Sequence, residues 1–526
     1  MSGQVLIVDA LSVGSGSRGS SRDSIGCGPR TVAGVMERHG VPCRIKRAED
    51  VLFAGARTRG FEHLAISAMT MDLPATRSIA ALWRRTHAKG RIIVGGPIAS
   101  SPHDVLREIR PDVLVIGEGE ATLDELLLAG FLEENIDRTS IAGIGYMHGN
   151  SPIVTEPRAL LSAADISTRY QPSRVRIVDY PAYQASRVYV EAIRGCSNFR
   201  RTSLTLPDGR RCSDCSNCDS ADAHKRLDCP ENIPPGCGFC SVPAVWGSPR
   251  SKFQQSIVDE VRELLDLGVH RVVLEAPGFL DYMRGSEPLT DPCQPPANLE
   301  ALTNLLKGLT SLPQLSGGTA HLSIENLKAC LFTDEVADVF SKHLGDTAPN
   351  IGIETGSEQH MRQIGKCGSP QDVVRAVKIA KAHGMSPYVY FIYGLPGESS
   401  ATVEESVNLM RQLDEAGAAR IIMYGFRALP GSAFEQFQEP DMRDPGGERL
   451  RTAANHINRR KKESYIGRVI RGIAGEPSWS RHGYTMIYPL GDGPLMTVRG
   501  GYSPGAIVNV KVIEVLSAGL LGGVVV

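Results

Sequence analysis

Seven of the twelve cysteines stand within 45 residues of one another: Cys196, Cys212, Cys215, Cys218, Cys229, Cys237 and Cys240. In a small secreted domain such density is a disulfide framework, but in a 526-residue chain lacking a basic start and an early apolar stretch it points to metal or redox chemistry. Thiolates are soft ligands that favour iron–sulfur clusters or zinc. Cys237 and Cys240, two residues apart in Gly236-Cys237-Gly238-Phe239-Cys240, can wrap one centre, and their spacing does not choose between iron–sulfur and zinc. Cys27, Cys43, Cys293, Cys330 and Cys367 are scattered and read as small buried hydrophobes.

The length exceeds the roughly 250–300 residues at which one core stops growing, so several domains are expected. Lys and Arg total 57 against 58 Asp and Glu, a balance that offers no global signature of a nucleic-acid or acidic partner. No apolar run approaches the ~20 residues of a membrane span, and a cytoplasmic protein is expected.

Residues 1–165 alternate short apolar runs with helical patterns, among them Val5–Val8, Leu64–Ala68, Arg91–Val94 and Val113–Ile116. This βαβ rhythm predicts an α/β, Rossmann-like parallel sheet, with ligands at the carboxyl ends of the strands. Those ends carry Ser67, Gly95, Gly96, Gly117, Glu118 and Gly119. A second βα series over 185–435 has strands near Val188–Ile193, Arg271–Glu275, Ala320–Glu325, Asn350–Glu354, Tyr388–Tyr393 and Arg420–Gly425. Six alternations predict a partial (β/α)6 barrel whose functional groups sit at the strand ends, interrupted by a cysteine-rich insertion at 197–236. A basic linker or helix occupies 436–462, with Arg459–Lys462 read as a solvated face. Residues 463–526 read as short strands, Ile466–Ile470, Tyr484–Tyr488, Leu495–Val498 and Ile507–Val515, forming a small OB-like β-barrel.

Arg194-Gly195-Cys196, followed after the insertion by Cys237-Gly238-Phe239-Cys240, resembles the three-cysteine signature of the radical S-adenosylmethionine (SAM) superfamily, in which C-x3-C-x2-C follows the first barrel strand. The 40-residue gap departs from that spacing and leaves Cys229, Cys237 and Cys240 as a rival triad; the strand-end Arg194-Gly195-Cys196 favours Cys196. Ile351 to Ser357 resembles the strand-four segment whose carboxylate contacts SAM, which implies that role for Glu354. Phe391 to Glu398 resembles the strand-five turn near the SAM adenine, which implicates Gly394 and Pro396. Phe239 would shield the cluster or adenine, or simply pack. The resemblance implies a [4Fe-4S] cluster with one iron open to SAM, a 5′-deoxyadenosyl radical, oxygen sensitivity, and an electron donor such as ferredoxin or flavodoxin. Cys212, Cys215, Cys218 and Cys229 suit either an auxiliary [4Fe-4S] cluster or zinc.

The N-terminal segment resembles the cobalamin-binding-like domain that precedes many radical SAM barrels, implicating the glycine-bearing loops named above. The usual Asp-x-His-x-x-Gly is replaced by Asp9-Ala10-Leu11-Ser12-Val13-Gly14, and Leu11 cannot ligate cobalt. Cobalamin without a protein lower ligand and a domain without corrin both fit. The C-terminal module resembles the TRAM domain, an RNA-binding OB-like fold, with Arg468, Arg471, Arg481, Arg499 and Lys511 as the basic residues and Trp479, Tyr484 and Tyr488 as stacking candidates. The leading expectation is modification of an unactivated carbon by methylation or C–C bond formation. The rivals are tRNA or rRNA modification, ring formation in a tetraether lipid, and a non-enzymatic iron–sulfur or zinc RNA-binding protein.

Overall fold

The computed structural model describes residues 3–19, 21–53, 58–87, 89–345, 347–441 and 443–526. The chain divides into two compact units, Met1–Val190 with Gln255–Gly268, and Glu191–Gln254 with Val269–Val526. Among the described residues no helix is long and apolar enough to cross a membrane.

The first unit is built on β1 (Val5–Asp9), β2 (Ser24–Ile25), β3 (Cys43–Arg47), β4 (His63–Ser67), β5 (Ile92–Gly95), β6 (Val113–Val115), β7 (Ile144–His148) and β8 (Ser151–Val154). Seven of these form one sheet in the order β3-β1-β4-β5-β6-β7-β8, parallel through β6 and closed by the antiparallel β7–β8 pair. Every residue of β1 and β6 is buried, as a parallel sheet covered on both faces requires. The helix Leu73–Thr86 contributes Ala75, Ile79 and Trp83 to that cover, and burying the Trp83 ring stabilises by about 2–3 kcal/mol. Strand order reverses between β1 and β4, the position where open α/β sheets bind ligands. β2 pairs in parallel with β9 (Arg187–Glu191). A fully buried ion pair, Arg30 to Glu260 at 2.8 Å, joins helix Cys27–Arg38 to helix Gln254–Asp266.

The second unit opens with an antiparallel pair, β10 (Ile193–Arg194) with β11 (Arg250–Ser251). β12 (Arg271–Glu275) pairs in parallel with β13 (His321–Ile324), and β14 (Asn350–Glu354), β15 (Tyr388–Tyr393) and β16 (Arg420–Gly425) form a parallel sheet. A bridge from Leu327 to Ile351 links the two groups. The intervening helices start on Asn298, Thr333, Ser369 and Ser399, whose side chains accept from the first-turn N–H groups, each cap adding about 1 kcal/mol. The sharp helix starts return the chain so that all five strands end on one edge.

The C-terminal strands β17 (Val469–Pro477), β18 (Tyr484–Pro489), β19 (Leu495–Arg499), β20 (Ile507–Val515) and β21 (Leu520–Val525) close into a barrel ordered β17-β18-β19-β21-β20 around Ala474, Ile487, Met496, Val498, Val510 and Leu521. Its first strand starts later than expected: Ile466 is exposed, and the core-facing run begins further on. β21 was not anticipated. Its Leu-Leu-Gly-Gly-Val-Val sequence lacks alternation because the barrel interior is tight there; a side chain at Gly523 would begin 2.3 Å from Val510. The basic helix Pro445–Glu463 is not simply solvated at its end: Arg460 and Lys461 both pair with Asp414, and Lys462 is buried with its ammonium on the Ala518 carbonyl.

Candidate metal and SAM site

The rim at the carboxyl end of β10 begins with Arg194, whose guanidinium lies 2.7 Å from Glu191. Burial works against the Glu191 carboxylate, but Arg194 outweighs it and holds the group down at about 2. The next turn presents Cys196. Asn198 then joins two cysteines distant in sequence, its backbone N–H 3.5 Å from Cys196 Sγ and its side-chain Nδ2 donating to Cys237 Sγ at 3.2 Å. The same amide donates to the Gly365 carbonyl at 2.9 Å. The turn from Cys237 to Cys240 closes with a 2.7 Å backbone bond. It is clamped by Gly238, which donates to Ile364 and accepts from Phe434. A side chain at Gly238 would begin 2.3 Å from the Phe434 ring, so only glycine fits between the two ligand candidates.

Burial raises both thiols, Cys237 strongly and Cys240 to about 11, with the charge of neighbouring Cys196 adding to the latter. A soft metal centre replaces those protons and holds the sulfurs as thiolates, so the donor set suits one. Opposing positive charge is present. Burial pulls the Lys366 ammonium down, yet Glu354 and then Cys237 hold it well above its ordinary value. Lys366 Nζ lies 2.8 Å from Glu354 Oε1. Glu354 ends β14 at a bulge and has φ of +69°, a left-handed conformation that costs a non-glycine residue about 1 kcal/mol or more and recurs at functional sites.

Two further arrangements were not legible from sequence. Ser197, next to Cys196, donates to Asp281 at 2.9 Å, and Asp281 also pairs with Arg284 and Lys328. Burial opposes the Asp281 charge, but Lys328 and Arg284 keep its carboxyl low. His360, fully buried, bonds Thr355 Oγ1 at 3.2 Å and the Pro396 carbonyl at 2.9 Å, tying the loops after β14 and β15 together. Burial lowers its pKa, so the imidazole is neutral. Beside it, both oxygens of Glu398 accept from Gly394 N–H, and burial pushes that carboxyl up to about 7.

Phe239 packs with Phe434, Phe426 and Leu395 in an apolar cluster. Cys212 and Cys229 pack against that same cluster. Arg201 organises the insertion by donating to the carbonyls of Phe199, Arg226 and Leu227, and lies 3.5 Å from Cys218. Burial raises the Cys212 thiol, with Asp214, Cys218 and Cys215 adjacent, while Cys215 is exposed. The scattered cysteines do not all behave as isolated hydrophobes: Cys293 and Cys330 form a disulfide, and their sulfurs and that of Cys367 lie within 4.8 Å of one another.

In the first unit, Ser67 and Gly95 end adjacent strands and Gly96 follows, with Gly117 and Glu118 in the loop after β6 and Gly119 opening the helix Gly119–Leu128. Nothing lies within 4 Å of where a side chain at Gly117 would begin, which leaves that edge open, as a bulky ligand requires. Glu118 is drawn back to accept from Leu161 N–H. The loop around Leu11 is organised by carboxylates: Asp9 accepts from Leu11 N–H at 2.8 Å and Asp72 from Gly14 N–H at 2.8 Å. In the barrel, Tyr488 is buried and bonded to Glu476, Tyr484 stacks on Arg481 with 4.0 Å from guanidinium to ring centre, and Trp479 is 46% exposed.

A family model for the Radical SAM superfamily matches residues 228–410, and one for the B12 binding domain matches residues 23–127. The chain therefore carries a radical SAM domain and a B12-binding domain, for which a [4Fe-4S] cluster and SAM are the implied cofactors and cobalamin is supported. An uncharacterized protein of Methanopyrus kandleri is 38% identical over 530 residues, covering 100% of this chain and 97% of that one; another of Methanocaldococcus jannaschii is 39% identical over 514 residues, 97% and 96%. The chain belongs to the family that these two full-length relatives represent. A tRNA-2-methylthio-N(6)-dimethylallyladenosine synthase of Clostridium novyi is 23% identical over 294 residues, 55% of this chain and 62% of that protein. Two solved structures share the fold over 82% of this chain. They are the radical SAM methyltransferase TsrM from Kitasatospora setae (TM-score 0.59, 16% identity, 77% of that chain) and the cobalamin-dependent SAM radical enzyme OxsB (TM-score 0.56, 13% identity, 55% of that chain).

Proposed function

We propose that this protein is a cobalamin-dependent radical SAM enzyme that modifies an unactivated carbon, by methyl transfer or by forming a C–C bond. The observation that carries the reading is Lys366, which is ion-paired with Glu354 and feels the charge of Cys237, and so sets a paired carboxylate near the Cys237–Cys240 turn that Asn198 links to Cys196. When bound, a [4Fe-4S] cluster and SAM would supply a carbon-centred radical for hydrogen abstraction. Cys196, Cys237 and Cys240 are the ligands in this reading, and Asn198 positions Cys196 and Cys237. Glu354 receives a cationic or hydroxyl group of SAM, and the neutral His360 holds the Gly394–Glu398 turn in register with it. Ser67, Gly95, Gly96, Glu118 and Gly119, around the open position at Gly117, would take a corrin, with Leu11 where the usual cobalt-ligating histidine would stand. The strands from β9 to β16 are read as a partial barrel and the C-terminal barrel as TRAM-like. TsrM, whose structure holds cobalamin and a [4Fe-4S] cluster, and the SAM radical enzyme OxsB, whose structure holds aqua-cobalamin, support the cofactor pairing.

The reading is tested by anaerobic reconstitution, with iron, sulfide and corrin analysis and EPR of the reduced protein before and after SAM. A four-iron signal that shifts on SAM addition and is lost in C237A/C240A supports it; a cluster blind to SAM overturns it. A second reading, modification of tRNA, is favoured by the methylthiotransferase relatives and by the closed C-terminal barrel with exposed Trp479. Salt-sensitive retention of tRNA by the reconstituted protein, lost in W479A, separates it from small-molecule or lipid substrates.

A further inference from the structure

Cys293, Cys330 and Cys367 lie 37 residues apart in sequence, yet each falls in the connection that follows one of three consecutive parallel strands, β12, β13 and β14, Cys367 just beyond the short helix Glu358–Gln363. Their sulfurs converge within 4.8 Å. The approach is built: Asp291 Oδ1 accepts from the N–H groups of Cys293 at 2.9 Å and Gln294 at 3.0 Å, and Arg284 holds the same loop through the carbonyls of Pro295 and Asp291. From the other side Arg375 reaches the Ala329 carbonyl at 3.3 Å, and a side chain at Gly368 would stand 3.9 Å from Cys330 Cβ. Cys367 is buried and the other two are partly so.

We propose that these three cysteines form a second metal site, taking one thiophilic divalent ion of the zinc class in a tetrahedral S3 arrangement completed by water. A metal–sulfur bond of ~2.3 Å in a tetrahedron sets the sulfurs ~3.8 Å apart, within the convergence seen here. A four-iron cube bonds each cysteine to a different iron and spreads the sulfurs further, so the single ion is the better fit. Loading competes with the Cys293–Cys330 disulfide. A dithiol reductant supplies two electrons and two protons, breaks that S–S bond and becomes a disulfide itself. The three thiols then release three protons as their thiolates bond the ion. The site would tie together the connections that follow three strands.

The test uses the full chain after anaerobic iron reconstitution, reduction with excess dithiothreitol and desalting. Co(II) is then titrated into wild type and into C367S, which keeps the other two cysteines able to form their disulfide. The expected result is one equivalent of cobalt with tetrahedral d–d bands and a thiolate charge-transfer band in wild type, absent in C367S, with iron and sulfide content equal in both. Equal cobalt uptake overturns the proposal, as does parallel loss of iron, which would make these cysteines cluster ligands. An independent reading comes from wild type alone. Zn(II) is expected to protect Cys293, Cys330 and Cys367 together from iodoacetamide in the reduced protein, by at least tenfold in rate. Alkylation of Cys367 at an unchanged rate with zinc bound overturns the proposal whatever the variant does.

Discussion

Lys366 Nζ sits 2.8 Å from Glu354 Oε1, and Glu354 is held there in a left-handed backbone conformation at the end of its strand. The pair carries opposite charges into a mostly buried rim that also contains the Cys237 thiol. Each member is therefore expensive to leave alone, because the surviving charge has neither water nor a partner.

Replacing Lys366 with Met should destabilise the protein by about 3 kcal/mol, since it strands the Glu354 carboxylate. The double variant K366M/E354Q should recover more than half of that loss, because both charges are then gone. Urea unfolding of the four species closes the cycle. Simple additivity of the two single changes would mean that the pair is not coupled.

Asn198 spends its two amide protons on Cys237 Sγ and the Gly365 carbonyl. Asn198→Ala should cost about 1–3 kcal/mol from the unpaired carbonyl. It should also lower the reduction potential of the reconstituted cluster, since an N–H donor to a ligand sulfur stabilises the added negative charge. Thermal melting reads the first effect and EPR-monitored redox titration the second; an unchanged potential removes Asn198 from the ligand environment.

The parts of the fold that could be read from sequence are those where each residue's surroundings repeat. β12, β14, β15, β16 and β20 have the bounds their apolar patterns suggest, because a strand packed against a core carries an apolar run bounded by turn or helix-start residues. The flanking glycine of Cys237-Gly238-Phe239-Cys240 and the strand-end position of Glu354 were readable for the same local reason. What pairing across the chain decides was not. Nothing near Cys293, Cys330 or Cys367 announces the other two, and Asn198 is one asparagine in a polar insertion until the fold sets its amide on Cys237. Arg30 with Glu260 joins helices 230 residues apart. Lys366 stands in an ordinary helix-end sequence, and its meaning comes from a carboxylate twelve residues back.

Lys462 is a basic residue that the fold buries against the barrel, and burial lowers its pKa to about 8. In the unfolded chain it titrates near its ordinary 10.5. Below pH 8 it is charged in both states, and folding carries the cost of the buried ammonium. Between 8 and 10.5 the folded chain sheds the proton first, so stability from this group rises with pH. Lys462→Met should therefore raise stability at pH 7 by about 1–2 kcal/mol, after discounting for residual solvent. That advantage should disappear above pH 10.5. Denaturant midpoints at pH 7, 9 and 10.5 show it.

Glu398 gives the opposite slope. Burial raises its carboxyl from 4.5 to about 7, against the help of the Gly394 N–H, and the charge of Asp444 adds to the rise. Because the folded pKa exceeds the unfolded one, the stability associated with its proton is complete below pH 4.5 and is lost as pH climbs through 7. Glu398→Gln keeps an oxygen for Gly394 and removes the titration. The variant should match wild type at pH 4.5, then exceed it by about 2 kcal/mol at pH 8, most of the gap opening between pH 5 and 7. Stability curves of both proteins at pH 4.5, 6 and 8 decide the matter: parallel curves would place the Glu398 carboxylate in water rather than against the turn. If the Gly394–Glu398 turn lies beside SAM as proposed, SAM affinity measured over that range should weaken with rising pH in wild type and stay level in E398Q.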